Sequence, residues 1–173
     1  MNLLQITNFF WQLCLLRKSP EQLPSSNFSA AIVFGGYLVT ALIVVTLTRP
    51  DQAFTTIIGT VAIGISLQAL ITFLLLQFKG VRNRFNATWS ALLGTNALML
   101  LVLLPFNFII LNAENESLRL FADSATWICL GWWLAIAGHI YHKSIEVSIL
   151  QGSVIAFLIE LMGVLIAVNL FPR

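Results

Sequence analysis

Glu160 is the residue whose chemistry is hardest to reconcile with its surroundings. It lies in the middle of SVIAFLIELMGVLIAV, residues 153–168, where every other residue is apolar or small. A charged side chain at the centre of a bilayer costs at least about 2.5–3.5 kcal/mol on insertion scales, so such acids are functional-site candidates by default. Two interpretations stay open. Glu160 is a protonation site or substrate contact, or it is a buried acid that joins helices through hydrogen bonds worth about 0.6 kcal/mol each.

Polar residues at a similar depth are the candidate partners of Glu160. At 1.5 Å of rise per residue, Glu160 lies roughly 22 Å from the start of its apolar segment, near the middle of a membrane. Ser66, Gln68 and Asn96 fall at comparable depths in two other apolar segments. No Lys or Arg occurs within any apolar segment, so neighbouring helices must supply hydrogen bonds instead. The sequence therefore predicts an intramembrane polar site formed by Glu160, Gln68, Asn96 and Ser66.

Other residues that could do chemistry form weaker patterns. In HIYHKSIE, His139, His142 and Glu146 are spaced as metal ligands on one helical face would be. A chain reversal near Lys143 and Ser144 separates Glu146 from the histidines, so we expect neither a metal site nor a cofactor. HExxH motifs, phosphate-binding glycine loops and GxSxG elbows are missing from the sequence. We therefore expect no catalytic residues and a protein that is not an enzyme.

Long apolar helices are the elements that would position these residues. Of the 173 residues, 58% are hydrophobic and 9% are charged, whereas soluble domains carry about 25% charged residues. The mean hydropathy is +0.90. Runs of about 20 apolar residues match the ~30 Å hydrocarbon core of a bilayer. Such runs occupy residues 28–48, 53–78, 88–111, 124–141 and 145–170. The sequence predicts an all-α integral membrane protein with five transmembrane helices in an up-and-down bundle.

The basic residues predict the orientation of the bundle. With a cytoplasmic N-terminus, six Lys and Arg residues fall in the inside segments and three in the outside ones. This distribution favours an inside N-terminus and an outside C-terminus. We expect the bilayer itself to be the main partner, with no nucleic acid, and the small size favours a bacterial inner (cytoplasmic) membrane.

Residues 1–18 predict an amphipathic helix that lies in the membrane interface. Its polar face carries Asn2, Gln5, Asn8 and Gln12. Trp11 and the basic pair Arg17 and Lys18 would anchor it at the headgroups. Residues 19–27, SPEQLPSSN, predict a linker into a five-helix transmembrane domain at residues 28–173.

Small residues recur on one face of the fourth and fifth spans. The predicted helix-packing residues are Gly131, Ala135 and Gly138 in the fourth span and Gly152, Ala156 and Gly163 in the fifth. Small side chains let helix backbones approach closely, and a very short turn forces these two spans together. Glu160 shares the stripe of the fifth span, so we expect it to face protein and not lipid.

The tryptophans divide by depth. Trp132 and Trp133 fall deep inside the fourth span, where they would line an apolar pocket or fill space opposite the glycines. Trp89, Trp127 and Tyr141 fall at positions typical of membrane interfaces.

The span pattern resembles that of the Yip1-like family of small membrane proteins, and the approach LLRKSPEQLPSSN is similar to small bacterial inner-membrane proteins of that type. The resemblance includes no catalytic motif and implies a membrane-organising or partner-binding role. We therefore expect a non-enzymatic protein that acts by intramembrane association, with itself or other membrane proteins, as an accessory or scaffold subunit. The alternative is a small transporter or permease subunit that uses Glu160 with Gln68 and Asn96 in a mid-membrane polar cavity.

Overall fold

A computed structural model of the chain describes residues 3–23 and 26–171, and these residues form helices without any strand. The α-helices are α1 (Leu3–Cys14), α2 (Asn27–Thr48), α3 (Phe54–Phe78), α4 (Phe85–Asn112), α5 (Glu116–Ile145) and α6 (Ile149–Leu170). Short 3-10 turns at Pro20–Gln22 and Arg82–Arg84 lie in two of the connections. Helices α2 to α6 are each long and apolar enough to cross a membrane. The chain is therefore an all-α, membrane-embedded protein.

Polar residues mark where α5 and α6 begin and where α5 ends. The Asn115 side chain accepts hydrogen bonds from the first amides of α5, and Ser148 forms a reciprocal capping box with Gln151 at the start of α6. Such caps satisfy amides that have no partner within the helix. Glu146 has a left-handed backbone, with a φ of 58°, and ends α5. The loop between α5 and α6 is therefore short, and it holds these two helices side by side.

The observed helices match three predicted spans closely and exceed the other two. Helices α2, α3 and α6 begin and end within four residues of the spans predicted at 28–48, 53–78 and 145–170. Helix α4 begins three residues before the predicted 88. Helix α5 begins eight residues before 124 and ends four residues after 141. Its first two turns carry Glu116, Arg119 and Asp123, so the helix continues beyond the part that suits lipid.

Helices α2 to α6 form a ring whose order differs from their order in the chain. Helix α2 packs on α4, α4 on α5, α5 on α6 and α6 on α3, and α3 packs in turn on α2. A hydrogen bond of 2.7 Å from Asn86 Nδ2 to Asn27 Oδ1 places the starts of α4 and α2 together. The loop ends of α3, α5 and α6 lie at this same end of the bundle. We call it the basic end because it carries Lys79, Arg82, Arg84 and Lys143.

Helix α1 packs across α4 and α5. Its side chains Phe10, Leu13 and Cys14 are buried. Gly94 of α4 makes room for the Phe10 ring, because a Cβ atom built on Gly94 would lie 2.2 Å from it. The Trp132 indole donates a hydrogen bond of 2.9 Å to the backbone carbonyl of Cys14. Helix α1 is thereby fixed to the bundle.

The segment after α1 turns back along α5. Leu16 has a φ of 60°, and His139 Nε2 lies 3.0 Å from the carbonyl oxygen of Lys18. The linker predicted at residues 19–27 contains the 3-10 turn, and its last residue is the first residue of α2. Residues 1–2, 24–25 and 172–173 of the predicted segments, including Asn2, lie outside the described residues. The interfacial position predicted for residues 1–18 stays a prediction.

Candidate functional site

Side chains from four helices surround a narrow crevice inside the ring. Its lining consists of Gln68 from α3, Leu92 from α4, Trp133, Ala137 and Tyr141 from α5, and Ala156, Ile159 and Glu160 from α6. The crevice is too narrow to admit a water molecule. Two of the predicted site residues, Gln68 and Glu160, thus line the same space, and that space is dry.

Glu160 lies midway along α6, with eleven helical residues before it and ten after it. The expectation that Glu160 faces protein and not lipid is met only in part, because its side chain lines the crevice but is exposed at the rim, whereas the adjacent Ile159 is buried. The carboxyl group is close enough to the phenols of Tyr37 on α2 and Tyr141 on α5 to interact with them electrostatically. Among the described residues, it makes neither a hydrogen bond nor an ion pair. The acid therefore keeps its full hydrogen-bonding capacity for a group outside the bundle.

Four polar side chains behind Glu160 are already paired with each other. The Trp133 indole N–H donates to Asn96 Oδ1, and both side chains are buried. Thr72 Oγ1 and the Tyr141 hydroxyl share a hydrogen bond of 2.9 Å, also buried. Buried polar groups are normally satisfied in this way. These bonds tie α5 to α4 and to α3, so Asn96 lies in the wall behind Trp133 and does not line the crevice.

Ser66 lies away from this site. It is exposed on α3, whereas Gln68 is buried. Residues two apart on a helix are separated by roughly 200° around its axis. Similar depth in the membrane therefore does not bring Ser66 to Gln68 or Glu160.

Sequence reasoning missed two polar residues of the site, Tyr141 and Thr72. Tyr141 is 1% exposed and lines the crevice, and the depth predicted for it, at the membrane interface, stays a prediction. The available signal was the four-residue spacing of Gln68 and Thr72, which puts both on one face of α3. An inward polar face on α3 requires polar partners on the helices opposite.

The helix-packing glycines of α5 and α6 meet near the basic end. A Cβ atom built on Gly152 would lie 2.6 Å from the Gly138 carbonyl oxygen. One turn along α5 from Gly138, the Leu134 carbonyl accepts a hydrogen bond of 2.8 Å from Ser153 Oγ. Ala156 is buried and lines the crevice, and Ala135 is half-buried. The two helices are therefore in close contact from the loop to about Leu134.

Gly131, about one turn beyond Leu134, takes no part in this contact. Gly131 is exposed, and a Cβ atom built on it would have no neighbour within 4 Å. The Cα atom of Gly64 on α3 lies 4.0 Å from a Cβ atom built on Gly163, so this part of α6 packs on α3. The small residues of α6 thus contact two different helices, α5 at Gly152 and α3 at Gly163, and Gly131 contacts neither α6 nor any other helix within 4 Å. Glu160 lies about one turn before Gly163, the residue at which α6 packs on α3.

The histidines bind the backbone. His139 is bonded to the Lys18 carbonyl, and His142 Nδ1 lies 2.6 Å from the Val147 carbonyl oxygen. Across residues 3–23 and 26–171, no group of three or more His, Cys, Asp or Glu side chains is placed to hold a metal ion. His139 thus joins α5 to the segment after α1, and His142 joins α5 to the loop before α6.

The arrangement limits the chemistry of the site. A lone carboxyl group can bind a hydrogen-bond donor or a cation, and it can exchange a proton, but nucleophilic or acid–base catalysis requires further groups placed beside it.

Comparisons with protein-family models, with curated proteins and with solved structures return no match.

Proposed function

We propose that this chain is a non-enzymatic membrane protein that acts by association within the bilayer, with itself or with other membrane proteins, as an accessory or scaffold subunit. The supporting observation is Glu160, which is exposed midway along a spanning helix and has no hydrogen bond within the described chain. A polar group in hydrocarbon gains strongly from any donor that reaches it. A partner helix that brings such a donor would be held at this point.

The contact surface follows from the exposed side chains beside Glu160. Phe157, Leu161 and Val164 are exposed on the same side of α6. Acyl chains and helices can both cover apolar side chains, but acyl chains cannot donate a hydrogen bond to the carboxyl group. The surface therefore suits a helix better than lipid.

The dry crevice also supports association over transport. A substrate or proton pathway requires a space that admits water or substrate, and the crevice at Glu160 admits neither. The likeness of the span pattern to the Yip1-like family agrees with a membrane-organising role, and we place the protein in a bacterial inner membrane on the same basis.

Cysteine crosslinking in native membranes tests the association. In a background with Cys14 and Cys129 replaced by Ala, Val164→Cys places a thiol one turn from Glu160. Leu165→Cys is the matched control, because the two residues are 56% and 54% exposed but point roughly 100° apart. We expect a product heavier than the monomer with Val164→Cys, little with Leu165→Cys, and none once Glu160→Leu is added. Equal crosslinking at both positions, or at neither, would contradict the proposal.

A small transporter or permease subunit is the second candidate. It is favoured by one observation: Gln68, Tyr141 and Glu160 come from three helices and line the same crevice. Glu160→Gln separates the two functions, because the amide keeps hydrogen bonding but cannot carry a proton. Proton uptake into proteoliposomes that contain the wild-type protein, and its loss in Glu160→Gln with crosslinking unchanged, would favour transport.

A further inference from the structure

The basic end of the bundle holds a recess that is separate from the crevice at Glu160. It has a volume of about 240 Å³ and lies where the 3-10 turn after α1 meets the start of α4 and the end of α5. Its lining consists of Glu21, Leu23, Asn83, Arg84, Ala87, Thr88 and Ser144. One charged pair, three neutral polar side chains and two apolar ones thus surround a space large enough for a small polar group.

Arg84 is the cationic group that lines this recess. Its Nη1 atom lies 2.9 Å from Glu21 Oε1 and 3.4 Å from the carbonyl oxygens of Lys143 and Ser144. The two carbonyls hold the guanidinium at the end of α5. The relative exposures of the Arg84 and Glu21 side chains are 34% and 51%. Exposed ion pairs of this kind contribute little to stability, so another anion can replace the Glu21 carboxylate.

Neutral donors line the recess beside Arg84. The Thr88 hydroxyl donates to the Arg84 carbonyl oxygen and to Ser144 Oγ, both at 2.9 Å, so its one proton is shared between these two acceptors. Both side chains line the recess, and each is about 1% exposed. Asn83 adds an exposed amide. Arginine with hydroxyl and amide donors is the usual composition of a phosphate site.

The surroundings favour an anion that comes from the membrane. Lys79, Arg82 and Lys143 lie at the same end of the bundle, which therefore carries a surplus of positive charge. Basic groups at the end of spanning helices attract anionic headgroups. Leu23 and Ala87 give the recess an apolar wall, which suits the glycerol and upper acyl carbons of a lipid better than free phosphate.

We propose that this recess binds the phosphate of an anionic phospholipid headgroup through Arg84, and that Glu21 takes the place of the phosphate when no lipid is bound. Lipid and Glu21 then compete for one guanidinium. Removal of the competing carboxylate strengthens lipid binding, whereas a purely structural ion pair would give no such gain.

Lipid binding to the full chain in neutral detergent tests the proposal, with native mass spectrometry to count bound phosphatidylglycerol against phosphatidylcholine of the same acyl chains. We expect selective binding of phosphatidylglycerol, roughly fivefold tighter in Glu21→Gln and about tenfold weaker in Arg84→Gln. Arg119→Gln is the matched control, because Arg119 is an exposed arginine on α5 near the opposite end of the bundle. It should bind as the wild type does.

Three results would overturn the proposal. Equal binding of the two lipids would remove headgroup selectivity. Unchanged or weaker binding in Glu21→Gln would remove the competition, and this variant keeps Arg84 and its carbonyl contacts, so it decides the question even if Arg84→Gln fails to fold. Displacement of phosphatidylglycerol by inorganic phosphate at equal concentration would assign the recess to free anions.

Discussion

A Cβ atom built on Gly152 would lie 2.6 Å from the carbonyl oxygen and 3.0 Å from the Cα atom of Gly138. Helices α5 and α6 therefore touch backbone to backbone at this point. The same Cβ atom would lie 3.0 Å from Cβ of Tyr141, the residue that lines the crevice and is bonded to Thr72. Close packing near the basic end thus fixes the position of a site residue.

Gly152→Ala should destabilise the protein because two of the three nearest atoms in its way belong to the backbone of Gly138 on α5, and the third is Cβ of Tyr141, so none can move independently of the helix. Overpacking of this kind lowers the free energy of unfolding by about 1–3 kcal/mol. Gly131→Ala is the matched control. It has no neighbour within 4 Å and should be neutral or stabilising by up to about 1 kcal/mol, since alanine favours helix. Thermal unfolding in mild detergent measures both, and similar losses in the two variants would contradict the packing described.

Trp133→Phe should leave the buried Asn96 carbonyl oxygen without its donor. An unsatisfied buried polar group costs about 1–3 kcal/mol, whereas loss of both partners is far better tolerated. The double variant Trp133→Phe/Asn96→Leu should therefore recover part of the stability lost in Trp133→Phe. Additive losses in the double-mutant cycle would show that the two side chains act independently.

The sequence predicts the bounds of the helices better than it predicts which helices contact each other. Apolar runs and polar caps are local signals, so the bounds of α2 and α3 agree with prediction within one residue. Helix α5 was predicted too short because hydropathy marks where lipid contact ends, and the helix continues through Glu116 and Asp123.

The site was predictable only where helical phase was considered together with depth. Gln68 and Glu160 line the crevice. Ser66 lies on another side of α3, and the Asn96 side chain accepts a hydrogen bond from Trp133. The small residues of α6 predict a single neighbouring helix, because the sequence does not show that Gly163 packs on α3 while Gly152 packs on α5. Which helix each part of α6 contacts depends on the crossing angles between helices, and no local sequence pattern encodes these angles.

Cys14 should resist alkylation in the folded protein. It is a buried thiol outside the five spans, and burial raises its pKa from 9.0 to about 11. The folded state therefore holds the Cys14 proton more tightly than the unfolded state does. The contribution of this proton to the free energy of unfolding is fully present below pH 9.0 and is lost as the pH rises through about 11. In a Cys129→Ala background, maleimide labelling at pH 8 should be much slower than after unfolding. Equal rates would contradict the burial of the thiol.

Trp132→Phe should expose Cys14 without unfolding the bundle. The indole N–H of Trp132 anchors the Cys14 carbonyl, and a neutral hydrogen bond of this kind contributes about 1 kcal/mol. Its loss should favour local detachment of α1 and raise the labelling rate of Cys14 by roughly fivefold. The same Cys129→Ala background isolates the signal, and Trp127→Phe serves as control because Trp127 is 66% exposed. An unchanged rate in Trp132→Phe would show that other contacts alone hold α1.

Glu160→Leu should stabilise the isolated protein while it abolishes association. The carboxyl group is exposed midway along α6 and makes no hydrogen bond within the described residues, so its removal sacrifices no bond and replaces a polar group with one that suits lipid. The insertion cost of an acid at this depth predicts a gain of about 1–3 kcal/mol, measured by thermal unfolding of the protein in detergent. Ser66→Leu, an exposed polar residue at similar depth on α3, should change stability far less. If Glu160 instead joins the helices of its own bundle, Glu160→Leu would lower the unfolding temperature, and its place in an intermolecular contact would have to be abandoned.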